Sequence, residues 1–125
     1  MAVPILKQGR YLIASIQSAL SDSEVLALQQ NLLELVGRHR ARGVVVDVTA
    51  MDVIDTYATR SLRTVAQTTR LRGAEMVVVG IQPDVAFAMA QFGLSMDGVQ
   101  TALDLEEGLE VLDSLTEKQQ SDDGR

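Results

Sequence analysis

The chain has 125 residues, a formal net charge of −6 and no cysteine. That length fits one domain, and the composition excludes disulfides, thiolate chemistry and Cys-ligated metals. The acidic balance and the 3% aromatic content leave neither the basic face nor the stacking platform that nucleic acid requires.

Val3-Pro4-Ile5-Leu6 is a short apolar run, followed by a turn at Lys7-Gln8-Gly9-Arg10 and a second run, Tyr11-Leu12-Ile13-Ala14-Ser15-Ile16. Two such runs across a Gly-containing turn predict a β-hairpin. Ser21-Asp22-Ser23-Glu24 fits a capping box. Val25, Leu28, Leu32, Leu35 and Val36 then recur at three- and four-residue steps, which predicts a helix to about Arg40. Val44 to Val48 and Met76 to Val79 are nearly continuous β-branched runs, as expected of strands covered on both faces.

Between those two strands, Leu62, Val65, Ala66 and Leu71 predict a helix that ends near Gly73. Its other face carries Arg60, Arg63, Arg70 and Arg72, either a solvated stripe or a protein-docking surface. Gly80-Ile81-Gln82-Pro83 is a strand-to-helix corner, with Pro83 suited to the first helical position. A short apolar helix over Val85 to Phe92 follows, with Met89 and Phe92 read as core and Gly93 as its end. Val99 to Ala102 reads as a short last strand. Asp104 opens a helix to about Leu115, and 117–125 is a polar tail expected to be disordered. The expected architecture is a single α/β domain over 1–116, a mixed sheet with an N-terminal hairpin and about four helices.

No apolar run approaches the roughly 18 residues of a membrane span, and Met1-Ala2-Val3-Pro4 shows no signal-peptide pattern, so the expected location is the cytoplasm. Enzyme chemistry finds little purchase. His39 is the only histidine and lies between Arg38 and Arg40, where a cation suits a helix C-terminus without any catalytic role. There is no Gly-rich phosphate loop. Asp47, Asp52 and Asp55 cluster near one strand end, as a magnesium site would, but Asp55 is also a natural N-cap. The reading is a chain without catalytic residues, metal or cofactor.

Ligand sites of open α/β sheets gather outside the C-terminal ends of the strands. Asp52-Val53-Ile54-Asp55-Thr56 lies at such a place, with Thr56 in the first turn of a helix. Its hydroxyl either belongs to a simple cap or presents a group whose phosphate the helix N-terminus tolerates. Ile54, Asp55, Tyr57 and Gln82 are read as one docking corner around it; Tyr57 is equally readable as a half-buried core residue.

Val44 to Thr49 followed by Asp52-Val53-Ile54-Asp55-Thr56 resembles the phosphoacceptor region of STAS domains, the anti-sigma-factor antagonist family. Gly73-Ala74, Gly80-Ile81-Gln82-Pro83, Ser15-Ile16-Gln17 and Thr101 to Leu109 resemble the stressosome branch of that family, and the resemblance covers 3–115. Because the chain starts at its first strand, it resembles the small, RsbS-like scaffold type rather than the sensor type. The resemblance implies a non-enzymatic protein that holds an RsbT-like serine/threonine kinase. It would release that kinase when Thr56 is phosphorylated, co-assemble with RsbR-like paralogues and with itself, and be reset by a phosphatase. The scaffold type presents Ser at the acceptor where this chain has Thr56. Ala88 stands where sensor-type paralogues carry a second acceptor Thr, so a single site is expected. The rival readings are a free-standing antagonist of an anti-sigma kinase and a nucleotide-binding module.

Overall fold

The computed structural model describes residues 3–123. A five-stranded mixed sheet has its strands in sequential order: β1 (Ile5–Gln8), β2 (Tyr11–Ser15), β3 (Gly43–Asp47), β4 (Glu75–Val79) and β5 (Gln100–Ala102). β1 is antiparallel to β2, as the hairpin predicts, and β2 to β5 are parallel. The helices are α1 (Asp22–His39), α2 (Thr56–Leu71), α3 (Pro83–Gln91) and α4 (Leu105–Asp123).

The β-branched runs owe their continuity to burial on both faces. Val44 and Val46 of β3 face the larger core with Leu28, Leu32 and Val36 of α1, Leu62 and Val65 of α2, and Val85 and Met89 of α3. Val45 faces the other way, with Tyr11, Ile13, Val77, Val79 and Leu112 of α4. The three crossover helices therefore share one side and α4 covers the other. Sequential strand order follows, since each crossover returns on the same face.

Local chemistry sets the helix starts. Ser21 Oγ accepts from the Glu24 amide at 3.3 Å while Glu24 Oε1 accepts from the Ser21 amide at 3.0 Å, closing the predicted capping box. Pro83 occupies the start of α3 and Asp104 Oδ1 accepts from the Glu107 amide at 2.9 Å. Two features depart from the sequence reading. Phe92 is 79% exposed rather than core, because α3 ends at Gln91 and the chain turns away before the apolar face reaches it. The α4 backbone continues past Leu115 to Asp123. Its path is anchored by buried Thr116, whose hydroxyl donates to the Leu112 carbonyl at 2.9 Å, and no Gly or Pro interrupts the stretch. Residues 124–125 of the expected tail lie outside the described residues.

Candidate functional site

The β3–α2 connection is a folded corner. Asp47 Oδ1 accepts from the backbone amide of Thr49 at 2.9 Å and from its hydroxyl at 2.6 Å, which closes the first turn. Met51 and Ile54 then dip into the core. Asp55 caps α2: its backbone is extended and its Oδ1 accepts from the Ala58 amide at 2.8 Å. Thr56 is thus the first residue of the helix, and it is exposed.

A second corner braces the first. Gly80 takes a φ of +83°, and a Cβ there would collide with the Thr49 hydroxyl. Only glycine combines that backbone with so close an approach. Gln82 Nε2 donates to the Thr49 carbonyl at 2.6 Å. The amide of Val48 donates to the Val79 carbonyl at 3.0 Å, extending the strand pairing to the corner itself.

Between the α2 start and α3 runs a groove of about 520 Å³. Thr56 lies on its wall with Asp52, Asp55 and Asp84, and Val85, Ala88 and Met89 of α3 form its apolar side. Val53, 69% exposed, and Phe92, at 79%, flank it. Among the described residues no Lys or Arg lines this groove. It is an acidic-rimmed, apolar-walled slot with a threonine hydroxyl on its wall.

The sequence-predicted residues separate here. Ile54 is 4% exposed, packed in the core below the corner, so it supports the corner from beneath and presents nothing to a partner. Gln82 is engaged with Thr49 and does not line the groove. Tyr57 is 42% exposed and turns toward α1, where a hydrogen bond to the Asp22 carboxylate holds its phenol above the ordinary range. Thr56 and Asp55 face α3. The four docking residues therefore do not make a single patch. Asp47 also parts from Asp52 and Asp55, lining a different hollow with Ser15 and Thr49. Among the described residues no three acidic or histidine side chains are grouped as a metal site would require. Sequence reasoning missed Val53, Asp84 and Phe92. Asp84, directly after Pro83, was the one with a visible signal, since acid is favoured in a helix's first turn.

The STAS domain family model matches residues 2–108. The chain belongs to the STAS domain family. A serine-to-glutamate variant of RsbS from Moorella thermoacetica is 35% identical, with 92% of this chain and 97% of that one covered and a TM-score of 0.75. A chain from the molecular architecture of the stressosome, a signal integration and transduction hub, is 34% identical over 90% of this STAS domain and 98% of its own length, with a TM-score of 0.75. The RsbT co-antagonist protein RsbRA of Bacillus subtilis (strain 168) is 29% identical over 91 residues, or 73% of this chain. The chain spans only 33% of that co-antagonist's length. Among the described residues no helix is long and apolar enough to cross a membrane.

Proposed function

We propose that this STAS domain is a non-enzymatic, phosphorylatable scaffold and antagonist of a stressosome-type assembly in the cytoplasm. In this reading it sequesters an RsbT-like serine/threonine kinase and co-assembles with RsbR-like STAS paralogues. Phosphorylation of Thr56 releases the kinase, and a phosphatase resets the site. Similarity to RsbS over nearly the whole of both chains supports the class.

The observation that carries the site is the contrast among the hydroxyls of the first turns of α2. Thr56 is exposed on the groove wall. Thr59 is 3% exposed, and the Ser61 hydroxyl donates to the Tyr57 carbonyl at 2.8 Å. A kinase can reach the first and not the second. A phosphate on Thr56 adds about −1.5 to −2 charges beside Asp52, Asp55 and Asp84, in a groove with no local cation. The helix start offsets part of that repulsion, by about 1 kcal/mol or less. A partner that had covered the groove would have to bury the new charge unpaired, which costs several kcal/mol. The groove with its flanking Val53 and Phe92, rather than Ile54, is the docking surface in this reading.

Incubation with the cognate kinase and ATP, then peptide mapping, tests it. Phosphate is expected on Thr56 alone and absent from Thr56→Ala. Phosphate on Thr59 or Ser61 with Thr56 bare overturns the assignment.

A further inference from the structure

Helix α2 carries a charge pattern that the Thr56 reading does not use. Within Thr56–Leu71 there are three arginines, Arg60, Arg63 and Arg70, and no acidic residue. The chain as a whole has 17 acidic and 11 basic residues, so a purely cationic helix runs against its composition. Thr56, Arg60, Arg63, Gln67 and Arg70 follow one another at steps of four and three, which puts them on one face of the helix. All five are exposed, while Leu62, Val65 and Ala66 on the opposite face are buried.

The arginines of this row differ in what holds them. Arg70, the farthest from Thr56, is tied down: its guanidinium lies 3.6 Å from the Glu75 carboxylate and donates to the Gly98 carbonyl at 3.0 Å. Arg60 and Arg63, the two nearest Thr56, enter no ion pair and no side-chain hydrogen bond among the described residues. Arg60 stands four residues after Thr56, the spacing at which an anion pairs with a cation further along a helix. Neither arginine lines the groove, whose charged residues are Asp52, Asp55 and Asp84. The Thr56 hydroxyl therefore marks a boundary. On one side are acids and an apolar wall, and on the other are two uncommitted guanidinium groups.

We propose, resting on the kinase reading above, that Arg60 and Arg63 seat carboxylates of the docked kinase and that Arg60 then becomes the partner of the phosphate on Thr56. The orientation of the kinase follows from the boundary. The groove acids repel carboxylates, so an apolar segment fills the groove and the acidic part of that face lies over α2. A guanidinium fork matches carboxylate and phosphate alike. In the docked state Arg60 is taken by the partner, so a new phosphate finds no cation and faces the partner's carboxylate as well. After release Arg60 is free to turn to the phosphate, which removes it from the surface that would rebind the kinase. One side chain thus has a partner in each state, and the exchange of partners favours release.

Two measurements on the full chain test this. In the first, phosphothreonine is incorporated at position 56 during translation, so no kinase is needed, and the phosphate is titrated by phosphorus NMR. Arg60→Gln should raise its apparent pKa by at least about 0.3 pH unit, a twofold change in proton affinity. In the second, the unphosphorylated chain is titrated calorimetrically with the kinase. Arg60→Glu with Arg63→Glu should weaken binding at least about tenfold. It should also lose most of the parent's salt dependence between about 0.1 M and about 1 M, where the screening length falls from about 10 Å to about 3 Å. Arg38→Gln, at the far end of α1, should bind as the parent does. Circular dichroism checks folding, and Arg60→Gln with Arg63→Gln serves if the glutamates do not fold. Equal titration of the phosphate with and without Arg60, or equal kinase affinity of the parent and the double variant, overturns the proposal. A parent that binds no kinase overturns the kinase reading instead, and the phosphate titration still decides the pairing with Arg60.

Discussion

The Thr59 hydroxyl is buried with no hydrogen-bond partner among the described residues, one helical turn from the exposed Thr56. An unpartnered buried hydroxyl costs roughly 1–3 kcal/mol of desolvation, whereas a methyl of the same shape costs nothing there. Thr59→Val is therefore expected to stabilise the fold by about 1 kcal/mol in chemical denaturation. A loss of stability would show that the hydroxyl is satisfied in solution. Tyr11 is the opposite case. Its hydroxyl donates to Asp113 Oδ1 at 2.5 Å and lies 3.2 Å from Thr116 Oγ1, tying β2 to α4. Burial, and then the hydrogen bond to Asp113, raise its pKa above the usual 10.0. The folded protein thus holds this proton more tightly than the unfolded chain. The stability it contributes is whole below pH 10 and is lost as pH rises through the folded value. Denaturation midpoints should fall in that alkaline range, and Tyr11→Phe should flatten that part of the profile while lowering stability at neutral pH.

Among the elements, two helical glycines, Gly108 of α4 and Gly37 of α1, show how context sets the sign of one substitution. A Cβ on Gly108 would stand 2.6 Å from Val79 Cγ1, a short side chain that is fully buried. A Cβ on Gly37 would meet only the far end of the flexible Arg72 side chain. Replacing a helical Gly by Ala gains about 1 kcal/mol of propensity. Overpacking a filled core costs about 1–3 kcal/mol. Gly37→Ala is accordingly expected to raise the melting temperature and Gly108→Ala to lower it. A rise in both would mean that α4 can lift off the sheet freely. Helix starts were legible in the sequence because caps are local: Ser21, Asp55, Pro83 and Asp104 each open a helix as read. Helix ends were less so. The course of α4 beyond Leu115 runs on from buried Thr116, beside the Tyr11 hydroxyl, a contact between residues 11 and 116 that no local pattern announces.

At the scale of the whole molecule, the fold was readable because its constraints repeat: β-branched runs buried on both faces, helices between them, and one hairpin at the edge. The site was readable only in part. The placement of Thr56 at the start of α2 follows from Asp55 alone, whereas the groove depends on where α3 packs against α2, which brings Asp84 and Phe92 to a residue far from them in sequence. This geometry also fixes how a switch here can work. Asp55 and Thr56 are exposed, and the corner beneath them is held by Ile54, by the Asp47–Thr49 turn and by the Gln82–Thr49 hydrogen bond. None of those supports involves the Thr56 side chain, so added charge there has no path to unfold the corner. Thr56→Glu should leave the melting temperature within a few degrees of the parent. It should weaken kinase binding at least about tenfold, or about 1.4 kcal/mol, in calorimetric titration. Thr56→Ala should keep binding and lose release on incubation with ATP. Equal affinity of Thr56→Glu and the parent would remove charge at the groove as the switch while leaving the fold assignment intact. A large fall in melting temperature would instead place the effect of phosphorylation in the fold rather than at the docking surface.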